Sequence, residues 1–200
     1  MSEIKAMPQI KIGNKSDLLE STLMKGQKAF IDNDESKFMI ITGNVGTGKT
    51  TALAARIIKE LWQYPDNFGF VLGNDYDRLR KGWIRDFLDL IPDEMFVSAI
   101  KNIEGTYEIV VNNGHGGESS VMFASWQEDS PAIQNVDSSN LGFFSLVHPG
   151  IEQLDLNERL IMRLRRNPSS RRAFYETFDS DWLNALPYAI QQTTFSVFMC

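Results

Sequence analysis

The stretch Gly43-Asn44-Val45-Gly46-Thr47-Gly48-Lys49-Thr50 meets the pattern G-x-x-x-x-G-K-[ST] at every fixed position. Phe38-Met39-Ile40-Ile41-Thr42 before it reads as a buried strand, and Thr51-Ala52-Leu53-Ala54-Ala55 after it reads as the opening of a helix. A strand, a glycine-rich turn and a helix N-terminus in that order make a phosphate cradle. The turn and the first helical residues aim backbone N–H groups at one spot, where the helix dipole also favours negative charge. Glycine lets the backbone curl close to phosphate oxygens without a Cβ in the way. The sequence therefore nominates Gly43, Asn44, Val45, Gly46, Thr47, Gly48, Lys49, Thr50 and Thr51 as residues that hold a nucleoside triphosphate. Lys49 is the candidate catalytic cation against the terminal phosphates, and the Thr50 hydroxyl is the candidate ligand for Mg²⁺.

Two hundred residues suit one α/β domain, and a composition 42% apolar and 23% charged is that of an ordinary globular protein. No run approaches 18 apolar residues, and Met1-Ser2-Glu3-Ile4-Lys5 lacks the apolar core of a signal peptide, so no membrane partner is expected. Cys200 is the one cysteine, which excludes a disulfide framework and makes the cytoplasm the expected compartment. A net charge of −6 argues against a uniformly basic nucleic-acid binder, although not against a local basic face. His115 and His148 are the only histidines, and neither has metal-ligand spacing.

Along the chain, residues 1–15 carry no periodic pattern and read as an arm, with the domain proper spanning 16–200. Ser16 to about Asn33 has Leu19, Leu23 and Phe30 near helical spacing, with Ser16 as cap. A helix from 49 to about 63 buries Leu53, Ile57 and Leu61 and stops at Pro65. Phe68 to Leu72 is a second strand, and Leu79, Trp83 and Phe87 mark a helix from about Asp77 to Leu90. Tyr107–Val111 and Ser120–Ala124 read as a hairpin around Asn113-Gly114, and the glycines beside His115 as its tip. Leu141–Val147 is another strand, Asp155 a cap for a helix carrying Leu156, Leu160 and Leu164, and Arg171–Thr177 the last core strand. Thr193–Met199 is a further strand candidate. This alternation implies an α/β P-loop NTPase fold: a mainly parallel sheet with helices on both faces and an inserted β-hairpin.

Gln27, the P-loop, Phe68-Gly69-Phe70-Val71-Leu72, Asp77-Arg78-Leu79-Arg80, Ser138-Ser139-Asn140-Leu141-Gly142-Phe143-Phe144 and Arg163-Leu164-Arg165-Arg166 together resemble the ATPase domain of phage terminase large subunits. The resemblance runs from about Gln27 to Trp182. It implies an ATP-driven motor that threads double-stranded DNA into a capsid, working in host cytoplasm as a homo-oligomeric ring with a portal or small terminase subunit. It implies ATP and Mg²⁺ as cofactors and Gln27 as the glutamine on the adenine edge; a solvent-exposed helical glutamine is the plainer alternative. Arg163, Arg165, Arg166, Arg171 and Arg172 are, by the same resemblance, candidates for catalysis, coupling or DNA contact, against a solvated basic helix end.

The chain departs from that family where catalysis needs it most. The Asp-Glu pair expected at the end of strand 141–147 is replaced by Val147-His148; valine has no ligand atom, and imidazole is a poor partner for hard Mg²⁺. Glu152 becomes the candidate catalytic acid, with Asp155 beside it, and His148 has no evident orienting partner. Asn44 or Val45 stands where many terminases carry a P-loop arginine, and Thr177-Phe178-Asp179 replaces a Thr-Asn-Pro-like coupling segment, although Trp182 fits the tryptophan that tends to follow. The residues after Trp182 are too few for a nuclease domain. A catalytically silent nucleotide-binding assembly module is therefore the alternative function. A small-molecule kinase is a third, since an acidic residue there follows the strand next to the P-loop strand and Asp75 follows Phe68–Leu72.

Overall fold

A computed structural model describes residues 6–8, 10, 24–101, 105–127, 140–149, 153–165, 171–177 and 195–200. The elements are α1 (Lys25–Asp32), β1 (Phe38–Thr42), α2 (Lys49–Gln63), β2 (Phe68–Gly73), and a third helix, α3. That helix is built from Tyr76–Arg78, a π-helical stretch Leu79–Ile84, and Arg85–Leu90. Next come β3 (Phe96–Lys101), β4 (Tyr107–Asn112), β5 (Glu118–Ser125), β6 (Phe143–Val147), α4 (Leu154–Met162), β7 (Arg172–Thr177) and β8 (Phe195–Met199). The strands form one sheet in the order β3-β4-β5-β2-β6-β7-β1-β8. From β5 to β8 every pairing is parallel; β3-β4 and β4-β5 are antiparallel. The expected mainly parallel sheet with an added hairpin is what forms.

Period-two alternation explains why helices cover both faces. Met39, Ile41, Val71, Phe143, Val147 and Phe174 point to the side packed by α1, α2 and α3. Their neighbours Phe38, Ile40, Phe70, Leu72, Phe144, Leu146 and Tyr175 point the other way, where Leu156 and Leu160 of α4 cover them. Tyr175 donates its phenol to Asn157 at 2.8 Å, which pins α4 to the sheet, and full burial pushes that phenol's pKa up.

Local details correct several sequence expectations. The first helix begins at Lys25, because Met24 is extended (φ −63°, ψ 152°) and Gln27 closes the N-terminal turn onto it; Ser16, Leu19 and Leu23 lie outside the described residues. The cap of α4 is Gln153, not Asp155, which stands exposed in the first turn. Strand β3 has no counterpart among the expected strands because it is a sheet edge with a register shift between Phe96 and Ser98. That irregularity breaks the alternation, and Phe96, Val97 and Ile100 remain largely exposed. The hairpin tip serves the structure: Gly114 N–H and the His115 ring meet the carbonyls of Trp62 and Gln63 at the end of α2. Among the described residues, no helix is long and apolar enough to cross a membrane.

An ion network is buried where α2 meets β7. Glu60 accepts from Arg56 one turn away and from Arg172 at 3.2 and 3.3 Å, while Arg172 also donates to Tyr64 Oη at 2.7 Å and to the Asp34 carbonyl at 2.7 Å. Arg56 and Glu60 are fully buried and Arg172 nearly so. Removing one charge from such a set leaves the others uncompensated in a low-dielectric interior, at a cost of about 3–5 kcal/mol. Glu60→Gln should therefore lower unfolding stability by that order in a urea titration; a loss under about 1 kcal/mol would show that the arginines are satisfied without it.

Candidate nucleotide site

The P-loop leaves the C-terminal end of β1 and enters α2 at Lys49. Gly46 (φ +81°) and Gly48 (φ +74°) occupy left-handed conformations, which is why glycine is required there. A Cβ at Gly46 would meet nothing, so the loop opens onto free space at that point. A Cβ at Gly48 would collide with the Gln27 amide. Behind the loop, Cys200 at the end of β8 donates its N–H to Thr42 O at 2.9 Å and backs Gly43 with its carbonyl.

Lys49 is buried and folded back on the loop it serves, its Nζ donating to Gly43 O at 2.8 Å and Asn44 O at 2.7 Å. Gln27 is also buried. Its Nε2 donates to Thr47 O at 2.7 Å, and its Oε1 accepts from Met24 N–H at 2.8 Å. The picture of a solvent-exposed helical glutamine is therefore wrong: helix α1 holds the P-loop through this side chain.

The carboxylate at this site comes from a place that sequence reasoning passes over. Thr50 Oγ1 donates to Glu176 Oε1 at 2.7 Å, and Trp83 Nε1 donates to Glu176 Oε2 at 3.1 Å. Glu176 is 1% exposed and sits in β7, level with Ile41 of β1 on one side and Val147 of β6 on the other. The signal was present. Ala173-Phe174-Tyr175 is an apolar strand, and an acid at its C-terminal end has the same character as the acid missing from β6. Glu152 lies outside the described residues, and so does Trp182; of Thr177-Phe178-Asp179 only Thr177 is described, as the end of β7.

His148 has an orienting neighbour after all. It occupies a left-handed conformation (φ +56°), donates its N–H to Glu176 O at 2.7 Å, and brings Nε2 to 4.0 Å from Glu176 Oε1. Desolvation lowers the imidazole pKa, Glu176 pulls it upward, and Lys49 pushes it down again. The net result is a ring held on its neutral side.

Beside Thr50 lies a cleft of about 420 Å³ at the C-terminal ends of the strands, with Asn74, Asp75, Trp83, Asp86 and His148 in its wall. Clefts at this end of a parallel sheet are where such folds take their ligands. Asp75 caps α3, accepting from the N–H groups of Asp77 and Arg78 at 2.7 and 3.2 Å. Its strand β2 is separated from β1 by β6 and β7, which removes the premise of the kinase alternative.

The arginines do not gather at the P-loop. Arg172 belongs to the buried network, Arg165 donates to Met162 O at 2.9 Å, and Arg171 donates to Arg165 O at 3.1 Å; Arg166 lies outside the described residues. All the described ones stand at the N-terminal ends of β6 and β7, opposite the P-loop. From Arg172 to Glu176 the strand advances about 13 Å, which puts Arg172 at the far end of the sheet from the P-loop.

No protein-family model matches the sequence, and no curated protein matches it. Solved structures do. The large terminase of a thermophilic bacteriophage superposes with a TM-score of 0.69 at 10% identity, over 90% of this chain and 46% of that one. The large terminase ATPase domain of Thermus phage P74-26 superposes at 0.56 with 15% identity, over 91% of this chain and 82% of that domain. The fold is that of a phage large terminase ATPase domain. This chain spans about half the length of the thermophilic phage's large terminase. That large terminase has also been solved in complex with ADP, matching at a TM-score of 0.65 and 11% identity over 88% of this chain and 45% of that one.

Gln27 supplies the first test of the site. Gln27→Leu keeps the bulk but strands the Thr47 carbonyl and the Met24 N–H, which should cost about 1–3 kcal/mol of stability in chemical denaturation. Unchanged stability would mean that the loop does not depend on α1.

Proposed function

We propose that this chain binds ATP with Mg²⁺ in the P-loop and acts as the ATPase domain of a terminase-like DNA packaging motor. The observation that carries the reading is the loop itself. Three glycines at positive φ, a buried lysine at its centre and a helix N-terminus beneath it converge on one point at the end of a parallel sheet. In that setting the Lys49 ammonium exchanges the carbonyls of Gly43 and Asn44 for phosphate oxygens, and the first N–H groups of α2 supply donors that the helix itself cannot use.

The donor set fits Mg²⁺. Such an ion is usually held by one or two carboxylates or hydroxyls together with substrate phosphates, not by an all-protein cage. Thr50 would hold it, and when bound it would draw charge from the phosphate oxygens. Gln27, tied to Thr47, positions the loop, and by the resemblance it would meet the adenine edge. Double-stranded DNA, a portal or small subunit and a ring of copies are the partners this reading carries, and an arginine for the reaction would come from a neighbouring copy.

A second reading keeps the nucleotide and drops the turnover. Val147 and His148 stand where hydrolysis in such folds draws on two acids, and the neutral, backbone-tethered His148 is not placed as a strong base. The chain would then be a nucleotide-gated assembly module.

Titration calorimetry with ATP tests the shared claim, and a phosphate-release assay divides the two readings. Lys49→Ala should weaken ATP binding by about 10–100-fold, the worth of a charge-assisted contact. Equal affinity in the variant and the parent would refute P-loop binding. Measurable release abolished by Lys49→Ala selects the motor; tight binding without release selects the module.

A further inference from the structure

We propose that Glu176, on β7, takes over the metal-holding role that the end of β6 has lost; this rests on the reading of the P-loop as an ATP–Mg²⁺ site. In P-loop NTPases Mg²⁺ is held by the P-loop Ser or Thr together with an Asp from a second strand of the sheet. Here the strand end that should carry the acid presents Val147, packed in the apolar core with 6% exposure. The residue level with it on the next strand toward the P-loop is Glu176. The carboxylate has moved sideways by one strand, about 4.8 Å, without changing its height in the sheet or its face.

Three observations make Glu176 the ligand rather than a bystander. Its Oε1 lies 2.7 Å from Thr50 Oγ1, and two adjacent oxygens around an octahedral Mg²⁺ lie about 2.9 Å apart, given bonds of about 2.0–2.1 Å. The pair is already at the spacing that a shared cation needs. Second, the side chain is locked: Trp83 holds the other oxygen at 3.1 Å, and Trp83 is itself fixed by stacking on Phe87 within α3. A buried Trp–carboxylate contact orients the group and leaves Oε1 directed at Thr50. Third, the carboxylate is 1% exposed and stands beside the cleft that Thr50 and His148 line, with His148 Nε2 at 4.0 Å.

The test is calorimetric titration of the whole chain with AMP-PNP, with and without Mg²⁺, in the parent and in Glu176→Gln. The amide can accept from Thr50 or from Trp83 but not from both, so the Mg²⁺ effect is taken in each protein as the ratio of affinities with and without Mg²⁺, and thermal unfolding of Glu176→Gln reports the fold separately. Mg²⁺ should tighten AMP-PNP binding to the parent, and Glu176→Gln should lose about 10–100-fold of that gain, the range typical when a partner of a metal site is removed. Full retention of the Mg²⁺ effect in Glu176→Gln, or no Mg²⁺ effect in a parent that binds AMP-PNP, overturns the assignment of Glu176 and leaves nucleotide binding standing. A parent that binds AMP-PNP under neither condition overturns the P-loop reading, and the metal-holding role falls with it.

Discussion

Parallel pairing brings the C-terminal ends of β1, β7 and β6 to one level, and the chemistry of the site depends on that alignment. Ile41, Glu176 and Val147 share a row across the three strands. Because neighbours in register point to the same face, a polar group anywhere in that row looks toward the start of α2. Ile41 leads through Thr42 into the P-loop, and α3 reaches the row through Trp83. Thr50, Trp83 and His148 therefore converge on a single carboxylate, although they come from three separate stretches of chain.

The same alignment explains how the two poles of the sheet divide their labour. At the N-terminal ends of the strands, charge is used for cohesion: Arg56, Glu60, Arg172 and Asp34 hold α2 against β7 and the segment after α1. At the C-terminal ends, Asp75 and Asp86 stand in the wall of a cleft, and Glu176 is buried behind Thr50 and Trp83, which line it. Arg172 and Glu176 are four residues apart on one strand, yet one belongs to the framework and the other to the site.

Much of this was legible in the residues. The pattern around Lys49 fixed the loop, and Leu53, Ile57 and Leu61 fixed the buried face of α2, because both signals are local in sequence. The hairpin announced itself through Asn113-Gly114. Glu176 was missed because its importance is a matter of adjacency: nothing in Ala173-Phe174-Tyr175-Glu176 says that β7 lies between β1 and β6. Arg172 misled for the same reason, since an arginine beside others reads as a basic surface until Glu60, more than one hundred residues earlier in the chain, is seen to face it. Gln27 looked half right because helical spacing cannot say that Thr47 closes over it. Edge strand β3 lacked a periodic signal altogether.

Likeness to large terminase ATPase domains at 10–15% identity speaks to the fold, and the site must be judged on its own atoms. The most direct measurement is a crystal structure of this chain grown with AMP-PNP and Mg²⁺. The account requires the triphosphate to lie on the amides of residues 46–50, with Lys49 Nζ drawn off Gly43 O and Asn44 O onto a phosphate oxygen. Density for the nucleotide elsewhere, with Lys49 still bonded to its own loop, would contradict it.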